Sequence, residues 1–566
     1  MKSLLPLIIA GLSLLQSAGN NLQDGRGKPA EVRILNADSM EAPFRGMDSD
    51  GIRLLGNVRL MHEEVHMHCD SAHRYSARNV VHAFGNVHVN QGDTLHLYGD
   101  HLIYYGDRRF AEVRGNVILK DRETTLETQR LDFDLERNYS YYPAQGVVVS
   151  GDNKLESRRG YYYVDEKLFY FRENVVITNP DYTIRSDTLM YNTETEVVYF
   201  LGPTTIIGED IDIYCENGWY NTITDISQFN ENARVRNNNH SVSADSIFYD
   251  NANGFGKAFL NIEIIDTVEN LTIKGNYAWF NRNPEEMLIT DRALLIQMTE
   301  NDTLYVHADT LRSWMQSAPP EPAPVEEQLI PEDEETISPP NGEPGMQDTE
   351  TDPATALPVV QESSPELPED DPGAREDNDS VRVLVAYYGV RMFGNQMQGK
   401  CDSLYYNMRD SVIHMFGDPV LWSDESQLSA ELMEIHLKED EVDYIVMTNS
   451  SFIVSEEQPG LFNQIKGTNV VGFFRNGELY RVNVTGNAET LYYPVDDEEI
   501  IGINKAVSAS LVIFMKENKP DRIRFLNRVE SVLYPLEDLQ GEERLLPNFR
   551  WLDHIRPKNR DDVFRR

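Results

Sequence analysis

The sequence predicts an all-β repeat protein. A Gly-Asn-Val step recurs at Gly56-Asn57-Val58, Gly85-Asn86-Val87 and Gly115-Asn116-Val117. Degenerate copies follow at Gln145-Gly146-Val147, Glu173-Asn174-Val175, Gly202-Pro203-Thr204 and Glu231-Asn232-Ala233, at spacings of 29, 30, 30, 28, 29 and 29 residues. A second motif, Asp-x-Leu/Ile-x-Tyr, lies between the copies, as in Asp100-His101-Leu102-Ile103-Tyr104, and returns at Asp187, Asp245 and Asp402. Helix signals are almost absent. Each unit of about 29 residues therefore holds two β-type runs separated by turn residues such as Asn90-Gln91-Gly92-Asp93. Repeat proteins grow as one continuous core, so a length of 566 residues does not set the number of domains.

The elements follow in order. Residues 1–19 read as a secretory signal: Lys2 is the positive start, Leu4 to Leu15 the apolar stretch, and Ser17-Ala18-Gly19 a small-residue cleavage site. The mature chain would begin near Asn20. Residues 20–315 carry the regular repeats, opening with Glu31-Val32-Arg33-Ile34-Leu35 as an edge strand free of proline. Residues 316–380 hold nineteen acidic residues, one basic residue and thirteen prolines, a composition that cannot offset chain entropy and predicts a disordered insertion. The array stops half a unit short at His307-Ala308-Asp309-Thr310-Leu311. It resumes with the matching half at Ala386-Tyr387-Tyr388-Gly389-Val390, so 381–544 reads as a continuation of one stack. Looser copies stand at Gly417-Asp418-Pro419-Val420, Gly486-Asn487-Ala488 and Asn527-Arg528-Val529, and 545–566 reads as a tail with a basic end.

A net charge of −42 argues against nucleic acid and against loose attraction to anionic membranes, since both need clustered Lys and Arg. Cys69 and Cys215 are 146 residues apart, roughly 24 Å at one strand per unit. That is too far for a disulfide, so three buried free thiols are expected. His66, His68 and Asp70 share one face of a strand, a spacing open to a transition metal. The same alternation makes them the polar outside of a half-buried strand, which is the preferred reading. The recurring Asp70, Asp100, Asp187, Asp245 and Asp402 are expected to be structural, because catalysis needs one unique constellation. No phosphate loop, nucleophile elbow or Cys-x-x-Cys pair occurs. No enzyme activity and no cofactor are therefore expected.

These Gly-Asn-Val strands, with the starts Ala37-Asp38-Ser39, Cys69-Asp70-Ser71 and Ala244-Asp245-Ser246, resemble the OstA/LptA family of lipopolysaccharide-transport proteins. Gly399-Lys400-Cys401-Asp402-Ser403-Leu404-Tyr405-Tyr406 is similar to the large OstA-like proteins. The likeness runs over about 30–310 and more loosely over 381–495. It implies a β-jellyroll, or β-taco, whose apolar groove holds the acyl chains of lipid A in the periplasm on the way to the outer membrane. No run of outer-membrane barrel strands is evident. Groove candidates are Val58, Val87, Val89, Leu102, Tyr104, Val117 and Leu119, then Leu189, Tyr191, Ile247, Tyr249, Leu404 and Tyr406. Implied partners are lipopolysaccharide, an outer-membrane translocon barrel and an inner-membrane component. The proteins would join by edge-strand pairing through Val32 and Ile34, with end-to-end self-association as a further outcome. The alternative is an extracellular β-solenoid adhesin or an enzyme acting on polysaccharide, which would need a singular carboxylate cluster or an aromatic platform on one face.

Loop-closure entropy rises only logarithmically with length, so replacing Ala318 to Asn378 by a short Gly/Ser turn is expected to leave the circular dichroism and unfolding midpoint unchanged. Loss of the folded signal would show that this segment packs as a domain.

Overall fold

Short turns between apolar runs make neighbours in sequence pair in space. A computed structural model describes residues 32–41, 51–62, 65–91, 95–120, 124–299, 302–317, 380–438, 441–475, 478–496, 499–516 and 519–565. The signal, the turn residues Gly92 and Asp93 and nearly all of the acidic insertion lie outside the described residues. The described residues up to Met315 and from Arg382 onward form one compact unit.

Strands Gly51–His62, Val65–Tyr75, Val80–Gln91, Leu95–Tyr105, Phe110–Lys120 and Thr124–Asp134 each pair antiparallel with the next. The meander continues to Thr303–Ser317. Tyr305, Val306 and His307 there pair with Phe393, Met392 and Arg391, so the ladder crosses the insertion unbroken.

The ladders break register near their middle. Between Val80–Gln91 and Leu95–Tyr105 the pairing skips from Phe84/His101 to Val87/Gly99, setting Gly85 and Asn86 against Asp100 alone. This is a bulge of two residues against one. Both bulged residues are left-handed, Gly85 at φ 72° and Asn86 at φ 46°. Consecutive left-handed pairs recur at 56/57, 115/116, 173/174, 231/232, 260/261, 291/292, 417/418, 449/450, 486/487 and 527/528. Each strand thus bends at the same height, and the sheet folds along a crease into two half-sheets whose inward side chains share one core.

Local chemistry explains the motif. A Cβ on Gly85 would lie 2.4 Å from Asp70 Oδ2, one on Gly115 2.4 Å from Asp100 Oδ2, and one on Gly56 2.3 Å from Asp38 Oδ2. Glycine is needed there for both its φ and its missing Cβ. Asn tolerates the left-handed region, and its amide donates to the same carboxylate: Asn86 to Asp70 at 2.8 Å, Asn116 to Asp100 at 2.8 Å, Asn57 to Asp38 at 3.1 Å. Glu216 replaces Asp opposite Asn232 at 2.9 Å. At Glu173-Asn174 the polarity reverses, with Arg158 and Arg159 each 3.2 Å from Glu173. The copy at Gln145-Gly146-Val147 is out of step by one residue. Gly146 stands opposite Thr128, where Val117 also pairs, and Val147 faces out while Val148 is buried.

The C-terminal residues form an ordered strap across the outer face of the second part of the stack. Gln398, Gln427 and Gln464 occupy one cross-strand row. Gln464 donates to Arg544 O at 2.8 Å and accepts from Leu546 N at 2.7 Å; Gln427 does the same with Arg550 O (2.8 Å) and Leu552 N (2.7 Å). Arg556 Nε donates to Gln398 at 2.8 Å. Phe549 and Trp551 cover Phe462, and Leu546 joins Phe452, Val454, Leu491, Tyr493 and Ile503 in a second core.

Gly85→Ala and Gly115→Ala are expected to lower stability by about 1–3 kcal/mol each in urea unfolding. Gly460→Ala, with a left-handed φ of 80° but nothing within 4 Å of its Cβ, should lose only about 1 kcal/mol. Equal losses at all three would mean that the carboxylate contact does not shape the crease.

Candidate functional site

Beyond the crease the period of two decides what enters the interior. In the half-sheet that follows the crease, the first inward residue is small or β-branched: Val58, Val87, Val117, Val175, Thr204, Ala233. Two residues further on comes Leu60, Val89, Leu119, Ile177, Ile206 or Val235. The intervening strands place Met67, Leu97, Leu126, Ile184, Ile213 and Val242 directly opposite. Register links these residues, rung by rung, into one cross-strand row from Leu60 to Ile465. The row narrows only at Gly399 and ends beside Thr490.

The other half-sheet is aromatic inside. Leu102, Leu189 and Ile247 lie near the crease, and Tyr162, Phe169, Tyr191 and Tyr220 lie towards the rim, all buried. Phe169 stacks on Tyr162 at 4.1 Å and on Phe171 at 6.0 Å. Side chains are thus small at the vertex, aliphatic along one wall and aromatic along the other. At the far end of the row a small cleft opens between the walls, lined by Ile453 and Ile465 from one and by Val482, Ile513 and Ile523 from the other.

The structure places the groove candidates accordingly. Val58, Val87, Leu102, Val117, Leu119, Leu189, Tyr191, Ile247 and Leu404 are buried in the shared core, and Val89, Tyr104 and Tyr406 pack half-buried against it. Tyr249 faces the same way nearer the rim, where its hydroxyl accepts from Arg282 and its ring lies 5.8 Å from Phe280. Sequence reasoning missed most of the aliphatic row. Its signal was present as the second inward residue after each crease pair, but only Val89 and Leu119 were read from it. It also missed the strap-binding glutamines, whose 29-residue and 37-residue separations carry no motif.

The polar candidates have structural partners. Asp70, Asp100 and Asp245 bind crease asparagines. Asp187 accepts from Thr188 at 3.1 Å, and Asp402 from Ser403 at 2.8 Å. His66, His68 and Asp70 do point outward together, but no group of three metal-binding side chains forms among the described residues. His68 instead pairs across strands with His88, which hydrogen-bonds His96 at 3.1 Å and stacks on Tyr98 at 4.5 Å. Partial burial, then the neighbouring His96 and His68, hold the His88 pKa below the usual range. Glu112 and Asp132 are buried on facing strands, yet Arg130 bonds Asp132 at 2.7 Å and lies 3.4 Å from Glu112, which Arg114 also pairs. Two guanidiniums thus match two carboxylates in one ion-pair cluster. Cys69, Cys215 and Cys401 are free and buried, as expected. Desolvation pushes their thiols up, Cys69 to about 11 and the other two to about 12, so nucleophilic thiolate is scarce.

The fold is a creased antiparallel meander with one apolar interior shared by its two half-sheets. Residues 30–187 and 187–297 match the family model described as OstA-like protein. Over residues 30–297 the chain is therefore OstA-like. A similar solved structure is LptH, the LptA-homologous periplasmic component of the lipopolysaccharide transport device of Pseudomonas aeruginosa. It is 16% identical over 24% of this chain and 81% of LptH, with a TM-score of 0.14. No curated protein matches the chain.

Proposed function

We propose that the chain is a periplasmic conduit for lipopolysaccharide, holding lipid A acyl chains between its two half-sheets and passing them toward the outer membrane. The observation that carries this reading is the unbroken aliphatic row from Leu60 to Ile465. A chain laid along it meets a similar apolar surface at every rung but Gly399, gaining about 0.8 kcal/mol per buried methylene. Similar rungs make binding strong but without direction, so the energy for transport comes from other machinery. Neither a catalytic residue nor a cofactor enters this reading, and the signal at 1–19 supplies export.

The ends of the ladder suit partner strands. Arg33–Asn36 pairs on one side with residues of Gly51–His62, and among the described residues nothing pairs with its other edge; Val32 is buried and Ile34 half-buried there. At the opposite end, Lys519–Leu526 and Glu530–Tyr534 pair with Ile503–Lys516, leaving Val529, Val532 and Leu533 exposed. Unpaired edges of this kind accept a further strand. In this reading the first edge meets an inner-membrane component or another copy, and the second meets the outer-membrane barrel.

A photo-crosslinking residue at Leu97, Leu189 or Ile206 is expected to capture lipopolysaccharide in cells, while outward Tyr98 and Thr205 give none. Absence of adducts at every inward position, or equal yield outward, would defeat the conduit.

A further inference from the structure

The outer face of the aromatic half-sheet carries a second, solvent-facing row. Tyr161, Tyr170, Tyr199, Trp219, Phe248 and Trp279 lie in one cross-strand register, interleaved with Met190, Gln228 and Lys257. All are half-exposed, whereas the residues on either side of each in sequence are buried or rim residues of the interior. Nine strands separated by ~4.8 Å make this a straight stripe of about 38 Å. Tyr141 extends it, 5.8 Å from Tyr161.

The fold does not require these rings. Further toward the N-terminus the same row holds Arg53, His73, His82, Ile103, Glu112 and Asp132, and the sheet there is just as continuous. Cross-strand aromatic pairs add only modestly to the stability of a sheet, and an exposed apolar stripe marks a contact surface.

The surroundings of the stripe select its partner. From Trp219 to Trp279 the flanking rows supply mostly neutral hydrogen-bonding groups, Asn217, Asn230 and Ser246 on the crease side and Asn221 and Asn281 on the rim side, with Asp250 among them; at the other end Arg172 and Arg159, the latter 3.2 Å from Glu173, flank Tyr170 and Tyr161. Gln228 lies in the stripe itself and donates to Asn230 and Ser246, both at 3.2 Å. Single-stranded nucleic acid would need a cationic groove beside the rings, and an anionic membrane would need clustered Lys and Arg. This stripe offers Lys257 near one end and Arg159 and Arg172 beside the other, with no cation along the rings between, in a chain of net charge −42. Planar electron-rich faces attract weakly positive C–H bonds, and amides and hydroxyls beside them match hydroxyl groups. That combination fits the faces and rims of pyranose rings.

We propose that this outer stripe binds an extended, uncharged saccharide chain. The inference deepens the conduit reading, on which it rests for the source of the saccharide: the lipid runs inside the fold and the sugar chain along its outer wall.

The test measures quenching of tryptophan fluorescence on the full chain. One probe is the lipid-free polysaccharide released from lipopolysaccharide by mild acid, and the other is dextran. Saturable quenching by the polysaccharide is expected, weakened at least tenfold by Tyr199→Ala combined with Trp219→Ala and preserved by Trp219→Phe. Circular dichroism checks folding, and Trp279→Ala alone, with a loss of at least threefold, replaces the double variant if that does not fold. Binding of dextran as well would support general pyranose recognition, and its absence would support a ligand specific to lipopolysaccharide. No binding of either probe, or binding unchanged by the substitutions, overturns the proposal. Crosslinks from inward Leu97 report on the lipid separately, so failure of the saccharide stripe and failure of the conduit are distinguishable.

Discussion

The hydrogen bond between a crease asparagine and the carboxylate of the neighbouring strand is the contact on which the architecture turns. Asn86 on Asp70 and Asn116 on Asp100, each at 2.8 Å, fix two consecutive left-handed residues at one height of the sheet. Without that bend a long antiparallel strand would stay flat and expose one apolar face. With it, every strand contributes to two facing walls, and its alternation is used twice. The contact lies on the outside of the fold, where a single neutral-to-charged bond adds about 1.5–3 kcal/mol at most. Its strength comes from repetition along the stack, as in other one-dimensional arrays.

Folding each strand in two separates functions that a flat sheet would mix. Inward positions on one wall are Leu, Ile and Val, and on the other they are Tyr and Phe, with small residues at the vertex where the walls converge. Outward positions are then free to differ along the chain: charged and histidine-rich near residues 53–132, aromatic from 141 to 279, and apolar under the strap near 422–503. The strap is the clearest case of local chemistry serving the whole. Gln427 and Gln464 each present an amide that donates and accepts as a backbone peptide does. They hold residues 544–552 across the strands and cover Phe452 and Val454, which would otherwise face water.

Much of this was legible in the sequence, and the exceptions have physical causes. Gly-Asn-Val was readable because two constraints coincide: a missing Cβ and a side chain that tolerates a left-handed φ. The motif dissolves even where the opposing carboxylate is kept, as Asp245 is opposite Asn261. Leu260-Asn261 and Asp291-Arg292 take the same conformation with no glycine to announce it. The recurrence of the aspartates was visible in the sequence, whereas the bond of Asp70, Asp100 and Asp245 to Asn is a contact 16 residues away that no local pattern displays. Gln145-Gly146-Val147 matched by spacing but slipped by one residue, since Pro143-Ala144 replaces the left-handed pair and shifts the inward position to Val148. The strap and the outer aromatic stripe escaped because both are cross-strand rows. Their members are about 7 to 37 residues apart in sequence and meet only once the register is known.

The central claim is that the two walls enclose lipid along the aliphatic row, and native mass spectrometry of protein gently purified from the periplasm tests it most directly. Wild-type protein should carry mass adducts of lipopolysaccharide. Ile206→Asp or Ile213→Asp, facing each other across one rung of that row, should remove them while the strands keep their circular dichroism. Wild-type protein without adducts, or adducts unaffected by a carboxylate on that wall, would contradict the account.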